Sequence, residues 1–118
     1  MPGPEDVRQL RTLTRYRQRL INRRRNAKLR LGALLRETRV VEPKNRRWGP
    51  GWMQWLRTTE GLGSEGRWVA DRLIQDLQDI ADEIHAVDGR LIQVTSEDSV
   101  VSQLVLLAGV GPVTLPTS

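Results

Sequence analysis

Along the first third of the chain, one frame of positions advances in alternating steps of three and four residues. Leu10, Leu13, Leu20, Ala27, Leu31 and Leu34 occupy it, and Arg17, Arg24 and Thr38 fill its remaining places. This is a heptad seam held for about four heptads, the pattern of a helix packed along a partner helix. Pro4 suits a first helical position, with Glu5 and Asp6 in the first turn. No proline follows until Pro43, and Gly32 is the one glycine inside the pattern. The spacing therefore predicts a helix over 5–39.

A second frame with the same steps runs through Ala70, Leu73, Leu77, Ile80, Ile84, Val87, Leu91 and Val94. Ser64 is suited to the N-cap, with Glu65 behind it, so a helix is expected over 64–95. Gly89 lies inside it and weakens it by roughly 1 kcal/mol relative to alanine. The connector 40–63 holds the turn signals Pro43, Gly49-Pro50-Gly51 and Gly61-Leu62-Gly63. Between them Trp52, Met53, Trp55 and Leu56 have the spacing of a short amphipathic helix. A further helix is expected over 97–108, ended by Gly109-Val110-Gly111-Pro112. The expected fold is all-α. A long antiparallel coiled-coil hairpin occupies 1–95, and a short helix with the start of a helix-hairpin-helix occupies 96–118.

Composition narrows the chemistry. Cysteine is absent, so disulfides, thiolate metal sites and thiol nucleophiles are excluded. The one histidine, His85, follows seam residue Ile84 and should point outward. No Ser/His/Asp arrangement is present. The apolar share of 38% and aromatic share of 4% are enough for a seam but thin for a rounded core. The most apolar stretch, 104–110, is far too short for a bilayer, and the N-terminus lacks the layout of a signal peptide. A soluble cytoplasmic protein is expected, with no membrane partner, cofactor, metal or catalytic residue in the chain.

Charge changes the picture most. Residues 1–47 carry 15 Lys and Arg against four acids, a net of +11, while 48–118 carry four Arg against 10 acids, a net of −6. Such asymmetry suggests a nucleic-acid-facing segment beside an acidic partner helix. The candidate binding residues are Arg15, Arg17, Arg19, Arg23, Arg24, Arg25, Lys28 and Arg30. Arg23-Arg24-Arg25 covers most of a helical turn, more charge than one partner helix can neutralise. Phosphates would meet these groups through charge neutralisation and counterion release. The plainer reading is a solvated coiled-coil face, with Arg17 and Arg24 snorkelling out of the seam. Gly109, Val110 and Gly111 form a second candidate, a hairpin whose backbone amides would contact phosphates. Trp48, Trp52, Trp55 and Trp68 could stack on bases, but an apolar cap at the end of the hairpin is the better account. Asp71, Asp76, Asp79, Asp82, Glu83 and Asp88 are spread evenly along the second helix, as its solvated or arginine-facing side.

The string Val7-Arg8-Gln9-Leu10-Arg11-Thr12-Leu13-Thr14-Arg15-Tyr16-Arg17-Gln18-Arg19-Leu20-Ile21, continuing into Asn26-Ala27-Lys28-Leu29-Arg30 and Leu34-Leu35, resembles the middle of one transposase family. These are the insertion-sequence transposases with a RuvC-like DEDD nuclease domain, the bridge-RNA-guided recombinases. The tail 104–114, with Gly109-Val110-Gly111-Pro112, resembles the opening of that family's helix-hairpin-helix domain. The order and separation of the two motifs match as well. The resemblance implies DNA transposition and recombination, with DNA and structured guide RNA as partners and a homo-oligomer held through the coiled coil. The family's nuclease acids and catalytic serine fall outside this chain, and no role passes to Ser118. The expectation is a truncated or split transposase, inactive alone. The alternatives are a structural coiled-coil interaction protein and a free-standing RNA- or DNA-binding regulator.

Overall fold

The computed structural model describes residues 4–96. In chain order they form α1 (Pro4–Thr38), α2 (Pro50–Thr58) and α3 (Gly63–Ser96), with no strand among the described residues. The expected helix over 97–108 lies outside them. No described helix is long and apolar enough to cross a membrane. The chain divides into two compact units: 4–23 with 79–96, and 24–78. In each, α1 and α3 run antiparallel as the arms of a helical hairpin.

In the first unit the contact is a narrow seam. Leu10 packs on Leu91 with Leu13 and Val94 beside them. Leu20 packs on Ile80, Ile84 and Val87, with Leu13 and Ile21 alongside. Low numbers on α1 meet high numbers on α3, which sets the antiparallel order. One apolar stripe per helix suffices here because each helix has a single neighbour.

The second unit has three helices and a wider core. Leu31 and Leu35 of α1, Ala70 and Ile74 of α3, and Leu62 of the preceding turn close around Trp52 and Leu56 of α2. Trp52 and Leu56 have no solvent exposure. Every predicted seam position is buried or half-buried. Leu35 and Ile74 join them because α2 covers a second strip of each long helix. Leu62, read as part of a turn, is buried in the same core.

Two local features differ from expectation. Helix α3 begins at Gly63, whose φ of +75° only glycine adopts freely. Ser64 then lies inside the first turn and its hydroxyl donates to Glu65 rather than capping an amide. Helix α2 is longer than its tryptophan core, because Pro50 starts it and Gly49 precedes it as N-cap. Its far end is closed from α3. Arg67 donates through its two terminal nitrogens to the carbonyls of Leu56 (2.7 Å) and Thr59 (3.0 Å). A cation is favoured at a helix C-terminus, where carbonyls lack amide partners.

Candidate nucleic-acid interface

Helix α1 carries the candidate arginines because nothing between Pro4 and Thr38 breaks it. In the first unit Arg15, Arg19 and Arg23 follow one another at four-residue steps and are exposed. Residues four apart share one face of a helix. The side chains of Arg15 and Arg19 make no ion pair among the described residues. Arg23 lies close enough to Tyr16 to act on its ionisation.

Arg17 is placed differently. It sits half-buried at its seam position, with Nε 2.6 Å from Asp88 Oδ1. Its guanidinium is turned to the partner helix instead of outward, which leaves it little freedom to meet a phosphate. Beside it the Tyr16 hydroxyl donates to Glu83. That bond, with slight desolvation and the negative charge of Glu83, raises the tyrosine above its ordinary range. Two of the acids on α3 are thus arginine- or tyrosine-facing. His85 points to solvent.

In the second unit Arg25 and Arg30 are exposed and Arg24 is half-buried at the seam. Neither Arg24 nor Arg30 has an ion-pair partner among the described residues. Lys28 is drawn aside, with its ammonium 5.1 Å from the centroid of the Trp48 ring. Burial and then the charge of Arg24 push its pKa down. A cation over an indole face is an attraction in its own right, so Lys28 belongs as much to the tryptophan cap as to the basic face.

That cap is built on Glu42. Its carboxylate accepts from Arg47 Nε and a terminal nitrogen, each at 3.1 Å, and from Trp52 Nε1 at 3.0 Å. Trp48 and Trp52 meet at 4.7 Å between centroids, and Trp52 and Trp55 at 5.7 Å, both tilted. Trp48 has a φ of 70°, a left-handed conformation costly for a bulky residue. Its contacts with Lys28, Arg47 and Trp52 hold it there. Residues 45–51 line an open concavity of about 380 Å³ beside it. Arg46 on its wall has no ion-pair partner among the described residues.

Three tryptophans therefore make the expected cap. Trp68 does not: it is 59% exposed, with the Arg72 guanidinium 4.7 Å from its ring centroid. Its phase relative to Ala70 and Leu73 places it outside the seam, a signal the grouping of all four tryptophans overlooked. Arg46 was also missed, since it lies in the turn rather than in the arginine-rich helix. Gly109, Val110 and Gly111 lie outside the described residues. Among those described, no three His, Asp or Glu residues gather where they could hold a metal ion.

Comparison with known protein families, curated proteins and solved structures finds no match.

Proposed function

We propose that this chain is the nucleic-acid-holding helical arm of a DNA recombinase of the insertion-sequence transposase kind, acting in transposition and self-associating as it does so. The observation that carries the reading is on α1. Arg15, Arg19, Arg24 and Arg30 stand on one helix without an ion-pair partner among the described residues. Positive charge left unneutralised by the fold is available to phosphates, and each contact releases counterions. The helix offers few groups for reading base edges, so binding rests on backbone shape and charge. Structured guide RNA and DNA both fit that chemistry, and A-form RNA is recognised largely in this way. In this reading the residues of the chain hold and align; none performs bond cleavage.

A second reading, a purely structural coiled-coil protein, draws support from Arg17, whose charge is directed to Asp88. Fluorescence anisotropy with duplex DNA and a structured RNA over a range of salt separates the two. The nucleic-acid reading expects affinity to fall steeply with salt. Exchanging Arg15, Arg19 and Arg30 for Glu should weaken binding about equally across sequences. It should also lower the log–log salt slope by about 2 to 3, given about 0.9 per phosphate contact on duplex DNA. No binding at low salt, or binding indifferent to salt, would leave the structural reading in place.

A further inference from the structure

The opening turns of α3 present an outward stripe at positions i, i+3, i+4 and i+7: Glu65, Trp68, Val69 and Arg72, all exposed. Trp68 and Val69 are 59% and 38% accessible. Arg72 lies over the Trp68 ring and has no ion-pair partner among the described residues. The Glu65 carboxylate receives the neighbouring Ser64 hydroxyl and no cation. An exposed tryptophan thus stands between one charge of each sign, and neither charge has an ion-pair partner among the described residues.

We infer that this stripe is where two copies of the chain associate, α3 against α3, antiparallel about a two-fold axis between Trp68 and Val69. This gives a surface to the self-association in the reading above and rests on it. An isologous contact must be self-complementary, each residue meeting a fitting partner under the same rotation. The order acid, aromatic, aliphatic, base satisfies that. Trp68 of either copy meets Val69 of the other. Glu65 of either copy meets Arg72 of the other, at both ends of the contact at once. Trp and Arg are also the residue types that most often anchor interfaces. Nucleic acid fits the stripe less well, because Glu65 stands at one end and would repel phosphate.

The test is sedimentation equilibrium of the full chain over a range of concentrations. Wild type should show a monomer–dimer equilibrium. Trp68→Ser should raise Kd by about thirtyfold or more, the effect of losing an interface anchor. Glu65→Arg alone and Arg72→Glu alone should each weaken association, since each places like charges together at both ends. An equimolar mixture of those two variants should dimerise again, because each end then joins opposite charges; circular dichroism of each variant confirms that it folds. Wild type that stays monomeric overturns both this contact and the self-association reading. Wild type that dimerises while Trp68→Ser does so equally well, or variants that fail to rescue each other, overturns this contact alone. Loss of nucleic-acid binding by Trp68→Ser with an unchanged dimer would assign the stripe to nucleic acid and also overturn it.

Discussion

The Arg17 guanidinium reaches across from α1 to Asp88 on α3, Nε to Oδ1 at 2.6 Å, with both side chains about three-quarters shielded from solvent. The pair stands in an apolar seam between the Leu20 cluster and the Leu10–Leu91 contact. A charged pair there acts more on register than on net stability, because desolvation offsets much of the attraction. Asp88→Ala should destabilise the fold by about 1–2 kcal/mol, read from urea unfolding, by stranding the guanidinium. Replacing both partners, Arg17→Met with Asp88→Leu, should be near neutral. A double variant as unstable as Asp88→Ala would show that the pair itself stabilises.

Arg67 should matter more than an ordinary surface arginine. Its two bonds to the Leu56 and Thr59 carbonyls tie the end of α2 to α3, and its Nε lies 3.2 Å from Asp71 in charge contact without an aligned hydrogen bond. Arg67→Met keeps the aliphatic stem and should still cost about 2 kcal/mol, since bonds made by charged donors are worth about 1.5–3. Asp71→Ala, which removes only an exposed i, i+4 pair, should cost at most about 0.5 kcal/mol. Equal losses in thermal unfolding would contradict the capping role.

Gly89 lies mid-helix on the exposed side of α3, and a Cβ built there would meet nothing within 4 Å. Gly89→Ala should therefore stabilise the protein by about 1 kcal/mol through reduced backbone entropy of the unfolded chain. An unchanged or lower melting temperature would mean that the position has a neighbour the free chain does not show.

Tyr16 is the only tyrosine, so its ionisation can be followed by absorbance without ambiguity. Its folded pKa is raised, first by the bond to Glu83. A raised folded value means the contribution is fully present below the unfolded pKa near 10 and is lost as pH climbs through the folded value. Tyrosinate should thus appear later in native protein than in urea, and Glu83→Gln should bring the midpoint down. Identical midpoints in native wild type and Glu83→Gln would rule the bond out in solution.

The amino-acid sequence by itself determined the two long helices, their frames and the antiparallel order. Heptad spacing is a local property that fixes which face each helix buries, and Leu10 to Leu34 and Ala70 to Val94 keep their phase throughout. The connector 40–63, short beside the helices it joins, turns the second helix back antiparallel on the first. The basic character of α1 was equally legible, because unbroken helix geometry distributes the arginines once their spacing is known. Tertiary structure decided which charges were used. Spacing already set Arg17 in the seam and Arg19 outside it, but only the packed partner helix supplied Asp88 as the group that Arg17 meets. Lys28 was turned toward Trp48 by a left-handed turn that no periodicity announces. The exposure of Trp68 was legible in its phase, but the bond from the buried Trp52 indole N–H to Glu42 was not, because Glu42 lies in the connector before α2. Spacing says which face a side chain lies on; the partner it meets there, Asp88 for Arg17, Trp48 for Lys28 and Glu42 for Trp52, belongs to another segment, and that choice is made by packing.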